Sequence, residues 1–175
     1  MIEPLRIDRI DRRDLRNHPD LLPQFQELLS LASDTPDLLR NQRFYIPFGT
    51  ILLGAFHDEQ PDTVNDARPD DITPIRGRLV GAAFLDVFYK PQISFLSALA
   101  VQPDLQRQKS GIAQRLLEKT FAISTEKEML AIRLHTAKHS AKWLRGYFAR
   151  YGFHKITLSS RVLEKILPAI EPAES

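Results

Sequence analysis

One segment constrains the fold of this chain more than any other: a strand pattern that runs into a turn and then into a helix pattern. Residues 93–101 (ISFLSALAV) are almost continuously apolar, which is typical of a buried strand. After the turn, apolar and small residues recur at the 3.6-residue helical period, at Ile112, Leu116, Leu117, Thr120 and Phe121. The sequence therefore predicts a strand whose following turn opens directly into a helix.

The junction between this strand and this helix predicts a site for an anion. A helix N-terminus presents free backbone N–H groups and the positive end of the helix dipole, which together suit a phosphate or pyrophosphate. Gly111 lets a ligand approach the backbone closely, and Arg107 and Lys109 add positive charge beside it. The alternative interpretation is an ordinary loop before an amphipathic helix.

The turn also resembles a known acyl-CoA signature. Residues 108–113 (QKSGIA) are similar to the Q/R-x-x-G-x-G/A motif of the GCN5-related N-acetyltransferases (GNAT), and Val101-x-Pro103 precedes them as in that family. The interval from Pro103 to Gly111 is two residues longer than the family's commonest spacing, so Gln106 and Gln108 both remain open for the first motif position. We prefer Gln108, because the motif places two residues between its first position and its glycine, and two residues separate Gln108 from Gly111.

Later elements follow in the order that the same family shows. Residues 131–136 have a strand pattern, residues 140–150 have a helix pattern, and Gly152-Phe153 resembles the family's closing corner. The resemblance implies an α/β fold of the α+β type. In that fold a mixed, mostly antiparallel central sheet is flanked by helices and splayed at the CoA-binding strand.

The resemblance also implies which residues bind acetyl-CoA as co-substrate. Backbone groups at the end of the strand would contact the pantetheine arm, and the turn would wrap the pyrophosphate. Ser140 would add a hydroxyl from the start of the last helix, or would only cap that helix. The implied cofactor-binding residues are Leu99, Ala100, Val101, Arg107, Gln108, Lys109, Ser110, Gly111, Ile112, Ala113 and Ser140.

A proton donor for the leaving thiolate is harder to assign. In the family this acid is often a tyrosine four residues before the corner glycine, a position held here by Phe148. Counting from the preceding strand indicates Tyr147 instead. One helical residue is a rotation of about 100°, so the two side chains cannot both face the thioester. We predict Tyr147 as the general acid, and a partly buried helix aromatic is the alternative.

A general base for the amine is also uncertain by sequence. The strand that leads into the turn carries Ser94 and Ser97 where many relatives carry a glutamate, and neither serine is basic enough. Asp86 and His135 remain as candidates. A lone histidine on an apolar strand is more often a hydrogen-bonded core residue, and water could carry the proton instead.

The other sequence patterns predict the remaining elements of one domain spanning residues 1–175. Alternating residues predict a first strand, apolar spacing predicts helices, and two apolar runs predict an antiparallel strand pair. Acidic residues and prolines predict a surface loop, and the C-terminus predicts a frayed tail. The predicted strands are 4–10, 49–56 and 77–85, with a last strand whose start lies within 156–162. The predicted helices are one that starts within 19–23 and one at 36–42. The predicted loop is 57–76, and the predicted tail is 169–175.

Composition excludes several classes of function. The chain has 24 basic and 22 acidic residues without a clustered basic patch, which argues against a nucleic-acid surface. It has no cysteine, and its five histidines lack ligand spacing, so we expect no disulfide and no metal site. No apolar run approaches the ~20 residues of a membrane span, and we expect no membrane contact and a cytoplasmic location.

We therefore expect an enzyme that moves an acetyl group from acetyl-CoA to a primary amine of a small molecule or peptide. Attack would be direct, in a ternary complex, because no residue suggests a covalent acyl-enzyme. The main alternative is a CoA-binding but inactive sensor or interaction module, which Phe148 and the missing strand glutamate favour. Another acyl donor, a hydroxyl acceptor and a homodimer also stay open.

Overall fold

The computed structural model describes residues 5–32, 49–57, 77–106, 110–136, 141–157 and 161–168. The strands are β1 (Leu5–Ile10), β2 (Thr50–His57), β3 (Arg78–Tyr89), β4 (Gln92–Val101), β5 (Ala131–His135), β6 (His154–Lys155) and β7 (Val162–Ile166). The helices are α1 (Arg12–Asn17), α2 (Leu21–Ala32), α3 (Pro103–Gln106), α4 (Ile112–Glu126) and α5 (Ala141–Ala149).

These strands form one sheet in the order β1-β2-β3-β4-β5-β7-β6. Every neighbouring pair in the sheet is antiparallel except β4 and β5, which are parallel. A parallel pair needs a crossover, and the α4 segment supplies it. The predicted mixed, mostly antiparallel sheet flanked by helices is confirmed.

Helices cover both faces of the sheet, and each face has its own apolar cluster. On one face, called here the α4 face, the buried side chains of Leu116 and Leu117 pack against strand residues such as Leu85. On the opposite face, called here the α2 face, Phe25 and Leu28 pack in a second buried cluster. Strand side chains alternate between the two faces, so each residue's cluster reveals which face it occupies.

Close packing of α4 on β3 depends on a glycine. A Cβ at Gly81 would lie 2.7 Å from Cγ2 of Ile112, 3.1 Å from Cδ1 of Leu116 and 3.3 Å from the carbonyl oxygen of Ala100. Ile112 is the first residue of α4 and is buried. Gly81 therefore sets how closely the N-terminus of α4 approaches the sheet.

Replacing Gly81 with valine should lower the free energy of unfolding by about 1–3 kcal/mol, because the added atoms overpack a buried contact. Gly146→Ala is a matched control in α5, where an added Cβ meets no atom within 4 Å in the segments that the structure describes. That change should raise the free energy of unfolding by about 0.5–1 kcal/mol, because glycine is unfavourable inside a helix. Urea unfolding measures both values, and a wild-type midpoint for Gly81→Val would contradict this packing.

The structure corrects several sequence-based predictions. The described residues of this region, 153–157 and 161–168, form two short strands, β6 and β7, rather than one last strand, and β7 lies between β5 and β6. The predicted loop 57–76 begins one residue too early, because His57 ends β2 and pairs with Leu5. The predicted helix at 36–42, the rest of that loop and the tail 169–175 lie outside the described residues.

Helix α1 is an element that the sequence-based predictions omit. It begins with a reciprocal capping box, in which the Asp11 carboxylate accepts from the backbone N–H groups of Arg13 and Asp14. The Asp14 carboxylate in turn accepts from the backbone N–H of Asp11. The D-x-x-D spacing was a usable signal for this helix start.

Candidate functional site

The sheet opens between β4 and β5. Only residues Ile93–Leu96 of β4 pair with β5, opposite Ala131–Leu134. On its other side, β4 stays paired with β3 as far as Val101. From Ser97 onward, the β5-facing edge of β4 therefore has no strand partner among the described residues. Its backbone N–H and C=O groups can bind an extended ligand, as the predicted splay requires.

A β-bulge marks the point where the opening begins. Phe84 pairs with Ala98 and Leu85 pairs with Leu96, which leaves Ser97 as the extra residue of β4. A bulge bends its strand and increases the local twist. Because Ser97 comes directly after the last residue that pairs with β5, the bulge turns β4 away from β5 at the start of the opening.

The N-terminus of α4 has the geometry that an anion site needs. Its N-cap residue Gly111 is left-handed (φ 73°, ψ 3°), and no described side chain caps the first turn. That turn contains no acidic residue, and a Cβ at Gly111 would meet no atom of the described residues within 4 Å. Within the described residues, no side-chain cap therefore competes with a ligand for the first-turn backbone N–H groups, and the positive end of the helix dipole lies at the same point.

The turn before α4 is partly fixed by side-chain hydrogen bonds. Gln106 donates from Nε2 to the carbonyl oxygen of Val101 at 2.6 Å, and the Ser110 hydroxyl donates to the carbonyl oxygen of Leu105 at 3.2 Å. The first bond occupies one lone pair of a carbonyl that was predicted to contact the pantetheine arm. Gln106 therefore has a structural role here, which fits the choice of Gln108 for the motif.

The structure describes only some of the predicted cofactor-binding residues. Leu99, Ala100 and Val101 lie on the open part of β4, and Ser110, Gly111, Ile112 and Ala113 lie at the start of α4. The side chain of Ile112 is buried, so only its backbone can contact a ligand. The remaining predicted residues, Arg107, Gln108, Lys109 and Ser140, lie outside the described residues.

Tyr147 and Phe148 lie on different sides of helix α5. The Phe148 side chain is only 5% exposed and contacts Phe153 edge-on, with ring centroids 5.5 Å apart. Tyr147 is half-buried, with Trp143 stacked on its ring at 5.9 Å and Tyr151 at 5.3 Å. Phe148 is therefore part of the core, whereas the side chain of Tyr147 is partly accessible to solvent.

Burial changes the acidity of Tyr147. Loss of water around the phenol raises the pKa of Tyr147 well above its ordinary value, and the neighbouring Tyr151 phenol adds to the increase. The proton therefore stays on the Tyr147 oxygen across the whole neutral range. Tyr147 is available as a hydrogen donor there, and it is a weaker acid than an exposed tyrosine.

Asp86 lies on the α2 face beside the opening. Its two carboxylate oxygens accept hydrogen bonds from the Thr50 hydroxyl and the Ser97 hydroxyl, respectively. In register, Asp86 is opposite Thr50 on β2 and Phe95 on β4. No ion pair engages Asp86 within the described part of the chain. The sequence placed Asp86 at the end of its strand, but β3 continues to Tyr89.

His135 lies on the same face, across the opening. His135 is the last residue of β5 and its side chain is exposed. The alternative interpretation of His135 as a hydrogen-bonded core residue is therefore wrong. Its ring centroid is 6.2 Å from that of Phe95. The structure thus places Asp86 and His135 on either side of Phe95 on the α2 face, and Tyr147 on the α4 face.

Sequence reasoning missed the roles of Ser97 and Thr50, which fix the Asp86 carboxylate. No local signal could have identified them, because both contacts depend on strand register across the sheet. Among the described residues, no group of three histidine, aspartate or glutamate side chains could hold a metal ion. None of the described helices is both long enough and apolar enough to cross a bilayer.

Comparison with solved structures supports the fold. Tetrahymena GCN5 gives a TM-score of 0.62 at 14% identity, covering 93% of this chain and 96% of that one. The ribosomal-protein-S18-alanine N-acetyltransferase of Escherichia coli gives 0.61 at 15% identity, with 98% and 99% covered. A GNAT-family acetyltransferase of Staphylococcus aureus Mu50 gives 0.57 at 18% identity, with 94% and 100% covered. These identities establish likeness of fold only.

Sequence comparison identifies the family. A search of curated proteins finds no significant match. The family model described as "Acetyltransferase (GNAT) family" matches residues 25–153, which is well over half of the chain. The splayed sheet, the uncapped helix start and this match agree: the chain belongs to the GNAT acetyltransferase family.

Proposed function

We propose that this protein transfers an acetyl group from acetyl-CoA to a primary amine of a small molecule or peptide. Acyl transfer from an acyl-CoA is the general reaction of its family. The observation that carries the proposal is the opening of the sheet at Ser97 beside the uncapped N-terminus of α4. These two features suit one ligand that combines an amide-containing arm with a pyrophosphate.

The described residues fit acetyl-CoA as the donor. The unpaired edge of β4 offers backbone groups to the two amides of the pantetheine arm. The first-turn N–H groups of α4 offer donors to the pyrophosphate, and the open space at Gly111 leaves room for its oxygens. When bound, this donor supplies an activated acetyl group on a good leaving group.

The donor and the acceptor would approach from opposite faces. The α4 face carries the uncapped helix start and Tyr147, whereas the α2 face carries Asp86 and His135. The acceptor would enter from the α2 face, with its ammonium at the Asp86 carboxylate. Separate approaches allow both substrates to be bound at once, which direct attack requires.

The proton balance assigns each residue one task. The ammonium loses a proton to Asp86, or to water that His135 contacts, and the neutral nitrogen then forms the new C–N bond. The C–S bond breaks, and the leaving sulfur takes the proton that Tyr147 holds. As the amide forms, its nitrogen gives up a second proton, which returns to Tyr147 through water, and Asp86 releases the first proton to solvent. No nucleophilic side chain is needed for this route.

Two measurements test the proposed function. Isothermal titration with acetyl-CoA and CoA should show saturable binding, and release of CoA thiol should accelerate with members of a primary-amine panel. Initial rates with both substrates varied should give intersecting double-reciprocal lines, as expected for a ternary complex. Parallel lines would contradict direct attack.

Asp86→Asn should lower kcat/KM for an amine that is cationic at pH 7 by roughly 100-fold, because a positioned base contributes about that much or more. Hydroxylamine, which is largely neutral at that pH, should be affected much less. Binding of acetyl-CoA should not change. Asp20→Asn, which removes an equal charge from an exposed position, is the matched control. Equal losses for both nucleophiles would remove Asp86 from the role of base.

A second candidate is a CoA-binding module without transferase activity. The observation that favours it is the buried phenylalanine at the position where relatives often carry the acid. Acetyl-CoA binding without amine-dependent thiol release would favour this candidate. We also propose a cytoplasmic location and no nucleic-acid partner, which the cysteine-free composition and the near-even charge support.

A further inference from the structure

An apolar surface lies next to Asp86 on the α2 face. It consists of Phe88 on β3 with Ile93 and Phe95 on β4, and it is called here the apolar shelf. Phe88 is 49% exposed, and Ile93 and Phe95 are partly exposed. None of the three belongs to either apolar cluster of the described residues. Three neighbouring apolar side chains outside the core are a candidate surface for a ligand.

Strand register places the apolar shelf and the Asp86 carboxylate side by side. Asp86 pairs with Phe95, and Phe88 pairs with Ile93. Residues that pair across antiparallel strands point to the same face, as do residues two apart along one strand. The four side chains therefore mark a rectangle, about 5 Å across the strands and about 7 Å along them. One corner is a carboxylate, and the other three are apolar.

Helix α2 occupies the same face on the other side of Asp86. Phe84 lies two residues before Asp86 on β3, and its ring centroid is 6.4 Å from that of Phe25 in α2. Phe88 lies two residues after Asp86, and about half of its surface is exposed. A molecule whose nitrogen lies at Asp86 therefore meets α2 in one direction and the apolar shelf in the other.

Charge on this face also separates the possible ligands. Arg133 is next to Phe95 on β5, and its Nε donates to Oε2 of Glu164 at 2.6 Å. Much of the charge of this guanidinium is thus already balanced by a carboxylate. The Asp86 carboxylate accepts only from two hydroxyl groups among the described residues, and neither carries a charge. Charge complementarity therefore favours a cation at Asp86 and no charged group over the apolar shelf.

We propose that the acceptor is a primary amine on an apolar alkyl or aryl chain. Its ammonium binds at Asp86, and its chain lies on the apolar shelf toward Phe88. This inference rests on the proposed function, because it takes Asp86 to be the acceptor end of the site. Amino acids and polyhydroxylated amines are poor acceptors under this proposal, since they would bring charge or hydroxyl groups onto apolar side chains that offer no hydrogen bond.

The first test compares straight-chain primary amines of increasing length in the thiol-release assay at pH 7. We expect kcat/KM to rise about fourfold for each methylene that the apolar shelf covers, the factor that burial of one CH₂ group gives. Hexylamine should also react better than the amino acid of the same chain length, which carries a carboxylate at the far end. A kcat/KM that does not rise with chain length would overturn the proposal.

The second test changes the apolar shelf itself. Phe88→Ala should lower kcat/KM for hexylamine roughly five- to tenfold, because about half of a phenylalanine side chain no longer contributes apolar contact. Ethylamine should lose much less, since its chain is too short to reach Phe88. The variant should fold, because Phe88 is outside the core.

Tyr89→Ala is the matched control for Phe88→Ala. Tyr89 is the next residue of β3 and is 62% exposed, but it points to the opposite face. Its removal should change kcat/KM for neither amine. Wild-type kcat/KM for hexylamine in Phe88→Ala, or equal losses in the two variants, would overturn the role of the apolar shelf.

The amine series separates this inference from the proposed function. If ethylamine accelerates thiol release and longer apolar amines react no better, only the inference about the acceptor fails. If no primary amine accelerates thiol release, the proposed function fails, and this inference fails with it.

Discussion

Replacing Gly111 with valine should abolish most acetyl-CoA binding while the protein stays folded. Gly111 has φ 73°, a conformation that β-branched residues adopt at a large energetic cost, and an added side chain would project into the open space before α4. The first-turn N–H groups would lose access to the pyrophosphate. Losing two hydrogen bonds to a charged group, each of about 1.5–3 kcal/mol, predicts at least a roughly 100-fold rise in Kd.

Gly152→Val separates the loss of the anion site from backbone strain. Gly152 also has a left-handed conformation (φ 84°), and it follows the C-terminal end of α5. Of the atoms in the described part of the chain, a Cβ there would approach only Nζ of Lys165, at 3.0 Å. Both valine variants should lower stability by about 1–3 kcal/mol, whereas only Gly111→Val should lose binding in isothermal titration. Wild-type affinity in Gly111→Val, or lost affinity in Gly152→Val, would place the pyrophosphate elsewhere.

The predictable part of the site is the part built from local sequence. The apolar run of β4 and the helical spacing of α4 were sufficient to predict both elements and the turn between them. The left-handed Gly111 follows from the same local pattern, because glycine is the residue that tolerates this conformation at a helix start. Each of these features depends on neighbours within a few positions along the chain.

The unpredicted part depends on contacts between distant segments. The bulge at Ser97 exists only in the register between β3 and β4, and the Asp86 carboxylate is fixed by residues from β2 and β4. The last hairpin was missed because β6 contains only His154–Lys155, too few residues for a pattern. Such features follow from register and packing, which one segment alone does not encode.

The proposal of Tyr147 as general acid combines both kinds of information. Sequence counting established that only one of Tyr147 and Phe148 can face the thioester, because adjacent helical residues differ by about 100°. The choice between them needed tertiary packing. Phe148 is held in the core by the ring of Phe153, which leaves Tyr147 on the accessible side of α5.

Tyr147→Phe should lower kcat by roughly 100-fold and leave the Kd for acetyl-CoA unchanged. General acids typically contribute about 100- to 10,000-fold. We expect the low end for two reasons. Burial raises the pKa of Tyr147, which makes it a weaker acid. Thiols have ordinary pKa values near ~8.5, so a thiolate is already a stable leaving group. Tyr151→Phe is the matched control and should change kcat much less.

The pH dependence gives an independent check of Tyr147. Because its pKa is raised, the phenol keeps its proton even above ~pH 10, where an exposed tyrosine loses it. Deprotonation of Tyr147 should therefore not lower the wild-type kcat below that pH. The ratio of wild-type kcat to Tyr147→Phe kcat should stay constant over the same pH range. An unchanged kcat in Tyr147→Phe would mean that the thiolate leaves without this proton. Catalysis would then rest on donor positioning and on Asp86.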